Sequence, residues 1–324
     1  MLPAFFVQRY ASWLGEPTDA GSLDLAMPIK QVRLSIIIPT YGREQVLVDT
    51  LDSLLGYAKQ DCEVILVDQT ATHEPEVHTR LEYWSQQEAI CWLRQTVPSI
   101  PMAMNRGASE AKGELLLFLD DDIVPDSHLH IAHILAQESH RGDIIAGRVL
   151  QPWHEDSHDS DPFTKATAEI KEEFMGGNFS IRREKLFSLG GFDENFKGAA
   201  YRFEREFSDR ILATGGTIWY EPTALIRHLH YQSGGTRSKG DHLTSWNPRH
   251  PVGAYYYLFV SPRVRQRMAA TLMRLASSVL TRHHLRKPWY IPVTITSELQ
   301  GLLWALWLRL KGPALPFRES GAKD

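Results

Sequence analysis

The 324-residue sequence is short of cysteine, of long apolar runs and of net charge, and each shortage excludes a class of protein. Its two cysteines, Cys62 and Cys91, are too few for a disulfide framework or a CxxC metal site. No window of about 18 consecutive apolar residues occurs, so the sequence predicts no membrane-spanning helix. A net charge of −4 predicts no general attraction to nucleic acid. Residues 1–17 lack a basic start followed by an apolar stretch, so no signal peptide is expected and the predicted location is cytoplasmic.

What the sequence does contain is typical of a folded α/β protein. Apolar residues make up 43% and charged residues 23%, close to the averages of globular chains. Four strongly apolar segments alternate with segments of helical period, namely LSIIIPT (34–40), EVILVD (63–68), CWLRQT (91–96) and ELLLFLDDD (114–122). The alternation predicts a mostly parallel central sheet, and strands that are apolar throughout predict helices on both of its faces.

Charge divides the chain unevenly. Residues 251–312 contain nine Lys or Arg and one acid, Glu298, which is a net charge of +8. Because the last twelve residues are balanced, residues 1–250 carry −12. The asymmetry predicts an N-terminal extension (1–32), a main domain (33–250) and a basic, mainly helical C-terminal region (251–324).

Polar side chains stand at the ends of three predicted strands. They are Pro39, Thr40, Tyr41 and Arg43 at the first strand, Asp68 at the second, and Asp120, Asp121 and Asp122 at the fourth. Ligands of such sheets bind beyond the carboxyl ends of the strands, so we expect these groups to line one cleft. No G-x-G-x-x-G follows the first strand and no G-x-x-x-x-G-K-[ST] occurs, which disfavours a Rossmann dinucleotide site and a P-loop.

The three adjacent aspartates repel one another, and a cation at the site would offset that repulsion. Mg²⁺ and Mn²⁺ prefer oxygen ligands and often bridge one or two carboxylates to substrate phosphates. In an extended strand Asp120 and Asp122 point to the same side and Asp121 to the other. The sequence therefore predicts a divalent metal here, and a solvated acidic loop is the alternative.

Six segments, in this order and at these spacings, resemble the inverting family 2 glycosyltransferases of the GT-A fold. They are IIIPTYGRE, EVILVDQT, MNRGASEAKGELLLFLDDD, GGNFSIRRE, GGFDENF and HLHYQSGGTR, and together they cover about residues 33–240. The resemblance implies a GT-A fold and transfer of a sugar from a nucleotide-diphosphate donor to a hydroxyl of a glycan or lipid-linked acceptor. Polysaccharide or lipopolysaccharide assembly in a bacterium is the usual setting of the family.

The resemblance also implies a donor site. Its residues would be Pro39, Thr40, Tyr41, Arg43, Asp68, Asn105, Arg106, Asp120, Asp121 and Arg237. A carboxylate only accepts hydrogen bonds, so Asp68 would accept from the ring N–H of a pyrimidine, which favours UDP or dTDP. A cap on the following turn is the other role open to Asp68, and a surface ion pair is the other role open to Arg106.

A metal site is implied in the same way. Asp120 and Asp122 match the DXD motif of the family, and His228 matches a histidine that ends a later strand as a further metal ligand. His230 is a second candidate for that histidine, and the metal would be Mn²⁺ or Mg²⁺. Residues 233–237 would form a loop that closes over the diphosphate, for which an ordinary glycine turn is the alternative.

Inverting transfer needs a carboxylate that takes the proton from the acceptor hydroxyl. In YRFEREFSDRI (201–211) the family pattern places Glu204 at this base, although Phe203 stands where the first of two acids is usual. Glu206 is the second candidate. The alternative is a helix whose charged residues form exposed pairs, each worth about a few tenths of a kcal/mol.

The basic C-terminal region contains two segments of helical period, 263–282 and 299–310, with cations beside Leu, Met and Trp. Such helices lie at membrane interfaces, so the sequence predicts an anionic membrane surface as a partner, on the inner face of the plasma membrane. Packing on the main domain and contact between copies of the chain are the alternatives.

Two other functions stay open on the sequence alone. A sugar nucleotidyltransferase would share the sheet and the metal, but PTYGRE lacks the glycine- and lysine-rich phosphate loop expected after its first strand. A binding or regulatory protein with a degenerate GT-A-like site is suggested by Phe203.

Overall fold

The computed structural model describes residues 32–57, 61–154, 162–198, 200–231, 233–235 and 243–318. From Val32 onward the chain forms one compact unit. The predicted N-terminal extension therefore lies outside the described residues except for Val32. Among the described residues, no helix is both long enough and apolar enough to cross a membrane.

A nine-stranded mixed sheet forms the centre of this unit. The strands are β1 (Leu34–Thr40), β2 (Cys62–Asp68), β3 (Cys91–Arg94), β4 (Leu115–Leu119), β5 (Ile123–Pro125), β6 (Ile144–Leu150), β7 (Glu169–Lys171), β8 (Asn178–Arg182) and β9 (Ile218–His228). Their order is β3-β2-β1-β4-β8-β6-β9-β5, and β7 also pairs with β9. Strands β5, β7 and β8 run against the other six. The mostly parallel sheet and its four predicted strands are confirmed.

The described residues also contain ten α-helices. They are α1 (Gln45–Tyr57), α2 (Pro75–Gln86), α3 (Ile100–Glu110), α4 (Leu129–Glu138), α5 (Arg183–Ser188), α6 (Phe203–Ala213), α7 (Arg249–Val260), α8 (Arg267–Val279), α9 (Arg282–Arg286) and α10 (Ile291–Lys311). Proline lies in the first turn of several of them, for example Pro75 in α2 and Pro101 in α3, because its fixed φ suits the first helical turn and the missing N–H is not needed there.

Helices cover both faces of the sheet. On β1, Ile36 and Ile38 pack into one hydrophobic cluster that includes side chains of α1 and α2. Ile37, between them, packs into a second cluster with side chains of α3, α6, α7 and α10. Successive side chains of an extended strand point to opposite faces of the sheet. Because helices cover both faces, side chains on both sides are buried, and the strands are apolar throughout.

The C-terminal helices belong to the second of these clusters. Val252 and Tyr255 on α7 and Ala305 on α10 are buried in it together with aromatic side chains of the main domain. At Gly301 the two helices approach so closely that a Cβ would lie 2.7 Å from Pro251 Cβ. The predicted boundary after residue 250 thus divides two parts of the sequence that share one core.

Candidate active site

Several of the predicted site residues stand at one edge of the sheet, at or just after the ends of β1, β2, β4 and β9. Strand β5 pairs with β9 so that Ile123 lies opposite His228. The backbone N–H of Leu229 donates to Asp122 O at 2.8 Å. Strand pairing therefore brings the acid segment, residues 120–122, against His228, although more than a hundred residues separate them in the sequence.

Arg43 lies inside the acid segment and not in an open nucleotide pocket. Its Nε donates to Asp121 Oδ1 at 3.1 Å and its Nη2 to Asp122 Oδ2 at 3.0 Å. Its Nη1 donates to the carbonyl oxygens of Tyr231, at 3.1 Å, and of Ser233. All three ion-paired side chains are at most 9% exposed. The cation that offsets the carboxylate repulsion is therefore supplied in part by the chain, whereas the sequence had suggested a metal alone.

The two buried aspartates have opposite pKa shifts. Burial raises the pKa of Asp121 to about 6, in spite of Arg43 beside it. Burial acts on Asp122 in the same direction, but hydrogen bonds from His228 and from the Tyr231 N–H outweigh it and hold the pKa of Asp122 below its ordinary value. Asp122 is thus ionised at neutral pH, as a metal ligand must be.

His228 faces two of the three acids. Its Nε2 lies 3.2 Å from Asp122 Oδ1 and 3.7 Å from Asp120 Oδ2, and its Nδ1 lies 2.9 Å from Gln151 Oε1. An amide oxygen only accepts, so Nδ1 carries a proton, and Nε2 meets the carboxylates through a second proton or through a metal cation. Burial alone would lower the pKa of His228, but the hydrogen bond to Asp122 and the nearby acids raise it.

These residues fit a divalent metal that is shared with a ligand. They offer an imidazole nitrogen and carboxylate oxygens, a donor set that Mn²⁺ accepts, and Gln151 fixes the orientation of the imidazole. Within the part of the chain that the structure describes, no group of three or more His, Cys, Asp or Glu is arranged to hold a metal by itself. The predicted metal would therefore need further oxygen ligands, such as those of a diphosphate.

Asp68 is fully buried and is surrounded by donors. Its Oδ1 accepts from Thr70 N at 2.8 Å, and its Oδ2 accepts from His73 Nε2 at 2.9 Å, Trp92 Nε1 at 3.0 Å and Arg94 Nη1 at 2.8 Å. Burial alone would raise the pKa of Asp68, but the hydrogen bonds from His73 and Thr70 outweigh it and lower the pKa. The turn cap considered above is present. A pyrimidine N–H can reach Asp68 only if it displaces one of these donors. Arg94 is the donor nearest to solvent, with 43% of its side chain exposed, and it is therefore the one to be displaced.

Asn105 and Arg106, on α3, lie beyond this network. Asn105 is buried, donates to Phe192 O at 2.8 Å and accepts from Phe192 N at 2.9 Å, so it joins α3 to the segment after α5. Arg106 donates to the carbonyl oxygen of Arg94 at the end of β3. In the described conformation Asn105 has a packing role, and the nucleotide contact assigned to it stays a prediction.

The remaining predicted donor residues lie around the end of β1. Thr40 is buried and pairs with Asp68, Pro39 is half-buried, and Tyr41 is exposed at the rim. Of the predicted loop, residues 233–235 are described and pack here, since Gly235 N donates to Tyr41 O at 2.7 Å. Arg237 lies outside the described residues.

Two adjacent glycines join the acid segment to the predicted base. A Cβ on Gly177 would lie 1.9 Å from Asp120 Oδ2, and a Cβ on Gly176 would lie 3.2 Å from Glu204 Oε1. Asp120 N also donates to Gly177 O at 3.2 Å. The carboxyl group of Asp120 thus lies against Gly177 and that of Glu204 against Gly176. Each contact is possible because glycine has no side chain.

Glu206, the second candidate for the base, has a different environment. It is buried and accepts from Arg210 Nε at 2.7 Å and from Arg210 Nη2 at 3.0 Å. Arg210 Nη1 donates in turn to Leu189 O at 2.7 Å. Burial raises the pKa of Glu206. Glu204 is therefore a half-buried carboxylate at the rim, whereas Glu206 is a buried carboxylate paired with Arg210. The alternative of exposed charged pairs does not describe Glu206.

Sequence reasoning missed Gln151 and His73. Gln151 directly follows β6, so a polar residue at a strand end was the available signal, but β6 itself was not predicted. His73 donates to Asp68 and also lies 3.2 Å from Glu44 Oε2, and no sequence motif contains it.

Comparison with known proteins assigns the chain to a family. The sequence profile of Glycosyl transferase family 2 matches residues 35–204, just over half of the chain. The O-antigen biosynthesis protein RfbC of Myxococcus xanthus is 29% identical over 232 residues, which are 64% of this chain and 18% of that protein. The GalNAc(5)-diNAcBac-PP-undecaprenol beta-1,3-glucosyltransferase of Campylobacter jejuni is 23% identical over 182 residues, 51% of this chain and 56% of that protein. The chain thus spans only part of the length of these relatives.

Solved structures share the fold. The Staphylococcus aureus TarS fragment 1–349 superposes with a TM-score of 0.51 and 14% identity, covering 83% of this chain and 72% of that one. GalNAc-T7 with UDP, GalNAc and Mn²⁺ superposes with a TM-score of 0.51 and 16% identity, covering 61% of this chain and 43% of that one. Identities this low are evidence for the fold alone, and they confirm the predicted GT-A architecture.

Proposed function

The chain belongs to glycosyl transferase family 2, and we propose that it transfers a sugar from UDP or dTDP to a hydroxyl of a glycan or lipid-linked acceptor, with inversion and with Mn²⁺ or Mg²⁺. The observation that carries the proposal is that the carboxyl groups of Asp120 and Glu204 lie against the adjacent residues Gly177 and Gly176, with His228 Nε2 3.7 Å from Asp120 Oδ2. A direct displacement needs the base and the diphosphate-binding group at one cleft.

On the donor side, the acid segment and His228 hold the leaving group. Asp122 and His228 would bind the metal, with Asp120 alongside, and Arg43 fixes Asp122 by Oδ2 so that Oδ1 faces the imidazole. A bound metal neutralises the charge that develops on the departing diphosphate. The GalNAc-T7 structure contains UDP and Mn²⁺ together, which supports this assignment by analogy of fold.

On the acceptor side, Glu204 takes the proton from the attacking hydroxyl. It is half-buried at the start of α6, and its carboxyl lies against the backbone of Gly176. Glu206 is held by Arg210 in the interior and is assigned no chemical step. The Campylobacter jejuni relative is named for a PP-undecaprenol-linked substrate, which supports a lipid-linked acceptor here.

Nucleotide binding is the first test. Calorimetric titration of UDP, dTDP, GDP and ADP, each with and without Mn²⁺, should show metal-dependent binding of UDP or dTDP. Binding of none of the four in the presence of Mn²⁺ would favour the degenerate binding protein and overturn the proposal. Preference for GDP or ADP would overturn the pyrimidine assignment at Asp68 alone.

The base is tested by variants that keep the donor site. Glu204→Gln should bind the nucleotide as the parent does, while release of UDP or dTDP from the nucleotide sugar falls by about a hundredfold or more. Glu184→Gln, an exposed carboxylate on α5, is the matched control and should change neither. Unchanged release by Glu204→Gln would contradict the assignment, and lost nucleotide binding would place Glu204 on the donor side.

We also propose that the C-terminal helices bind an anionic membrane surface, which would bring the site to a lipid-linked acceptor. Helix α10 is apolar on both sides: Ala305 and Leu308 are buried, while other apolar side chains are turned outward. The outward residues are Ile295, Leu299, Leu303, Leu306, Trp307 and Leu310. At these spacings they form one stripe along the outer side of the helix. A helix that faces only water usually has polar residues there, so the stripe indicates a binding surface.

The segment from α8 through α9 to the turn before α10 carries further exposed apolar side chains. Six of their apolar side chains are each at least 60% exposed, namely Met268, Leu272, Met273, Leu280, Leu285 and Trp289. Exposed cations accompany them at Arg265, Arg267, Arg282, Arg286, Lys287, Arg309 and Lys311. Glu298, the one acid among the described residues after 248, is buried and paired with Arg274 at 3.1 Å. Exposed apolar groups and cations without exposed acids are complementary to anionic lipid.

Vesicle co-sedimentation tests this surface. The parent should bind vesicles of phosphatidylglycerol and phosphatidylcholine more tightly than vesicles of phosphatidylcholine alone, and Leu303→Ser with Trp307→Ser should weaken binding about tenfold. Tyr83→Ser with Val97→Ser removes two comparably exposed apolar groups elsewhere and should have no effect. Absence of parent binding would overturn the proposal, as would a serine variant that loses only self-association in ultracentrifugation.

A further inference from the structure

A cavity of about 610 Å³ opens beside the acid segment, at the ends of β6 and β9. It is lined by Pro152, Trp153, Leu229, His230, Tyr231 and Ser233. In the sheet order, β6 and β9 lie on the opposite side of β4 from β1, β2 and β3. The cavity is therefore separated from Asp68, at the end of β2, whereas it borders Arg43, which donates to the carbonyl oxygens of Tyr231 and Ser233.

The wall of this cavity is fixed directly to Asp122. Leu229 N donates to Asp122 O and Tyr231 N donates to Asp122 Oδ2, each at 2.8 Å. His230, between them, adopts φ +52°, a left-handed conformation that costs a non-glycine residue free energy. Its ring contacts that of Trp153, with centroids 4.9 Å apart and an interplanar angle of 77°. The two anchored neighbours thus hold a strained residue that positions an aromatic pair next to the predicted metal ligands.

In Trp153, 54% of the residue is exposed, whereas Trp92, which donates to Asp68, is half-buried. An exposed indole beside hydroxyl and imidazole groups suits a pyranose ring, whose C–H face packs on the aromatic surface while its hydroxyls find polar partners. Tyr231 and Ser233 supply hydroxyls on the same wall. A nucleobase that pairs with Asp68 would instead lie beyond the acid segment, at the end of β2.

We propose that Trp153 and His230 form a subsite for a pyranose ring of the acceptor. This assignment rests on the proposed glycosyl transfer, and it further specifies the side of the acid segment from which the acceptor approaches. The sugar bound here lies next to the acid segment, on the side away from Asp68. Trp153 is then a binding residue for acceptor recognition and takes no part in proton transfer.

The experiment compares Trp153→Ala, Trp153→Phe and the parent. Acceptors are p-nitrophenyl glycosides of glucose, galactose, N-acetylglucosamine, N-acetylgalactosamine, mannose and rhamnose, with each nucleotide sugar whose nucleotide binds. For a glycoside that accelerates nucleotide release, Trp153→Ala should raise the acceptor KM about tenfold with a much smaller change in kcat, and Trp153→Phe should recover most of the loss. Trp246→Ala, with 58% of the residue exposed elsewhere, is the control and should match the parent.

The outcomes separate this inference from the proposed function. Calorimetric nucleotide binding should be equal in the parent and in Trp153→Ala, and a loss of that binding would place Trp153 on the donor side and overturn the subsite. An unchanged acceptor KM in Trp153→Ala would overturn it too. If the parent binds nucleotide with Mn²⁺ but no glycoside accelerates release, the transferase assignment stands and the pyranose subsite does not.

Discussion

Replacing Arg43 by methionine should destabilise the protein by about 3–5 kcal/mol, the cost of removing one partner from a buried ion pair. Arg43 contacts Asp121 and Asp122 through separate nitrogens, and both carboxylates are at most 9% exposed. Methionine preserves much of the volume but leaves Asp121 without the cation that it pairs with, and Asp122 with His228 as its remaining ion-pair partner. With a urea m-value of about 3 kcal/mol per molar, the unfolding midpoint should fall by about 1 M or more.

A double-mutant cycle shows whether the carboxylates cause this loss. Asp121→Asn should cost less in the Arg43→Met background than in the parent, with a coupling energy of about 1–3 kcal/mol. Arg43→Lys keeps the charge but not the fork of donors, so its midpoint should lie between those of the parent and the methionine variant. A midpoint shift below about 0.3 M for Arg43→Met would refute the reasoning, because the acid segment would then have another source of compensation.

Two further changes test the other contacts. Gly177→Ala places a Cβ where Asp120 Oδ2 lies, so it should weaken Mn²⁺-dependent nucleotide binding about tenfold by calorimetry. Gly56→Ala, whose Cβ meets nothing within 4 Å, should leave binding unchanged, and equal binding in both variants would contradict the role of the glycine. His73→Gln should destabilise the protein more at pH 6 than at pH 9, measured as urea midpoints. Burial alone would lower the pKa of His73, but bonds to Asp68 and Glu44 raise it, so its contribution is complete below about pH 6.5 and is lost as the pH rises through the raised pKa. Equal losses at both pH values would show that His73 acts without its charge.

The strands of the first half were predictable because their local pattern decides them. Segments such as LSIIIPT are apolar, β-branched and bounded by proline or acid, and nothing in the tertiary structure overrides these preferences. The acid segment and His228 could also be placed at one edge of the sheet, since both follow strands. Strand β6 was not predicted, and Gln151 at its end was missed with it.

What the sequence could not predict is how charges pair across elements. Arg43 lies 78 positions before Asp121, and only the folded sheet shows that its guanidinium compensates the acids. Glu204 and Glu206 are alike in sequence context, and their difference comes from the side of α6 on which each lies. The same limit applies to α10, because apolar residues on both sides of a helix give no periodic signal that separates core from surface.

The two hydrophobic clusters also differ in when they can be completed as the chain is synthesised. Among the described residues, the cluster on the α1 and α2 side of the sheet contains none later than Ile226. The opposite cluster includes Ala305 and Leu308, so it stays open until α10 has left the ribosome. During that interval one face of the sheet, with Phe118 and Phe179, lacks its full cover, and chaperone binding or aggregation during synthesis should begin there. Truncation within α10 should therefore reduce soluble yield more than its distance from the active site suggests.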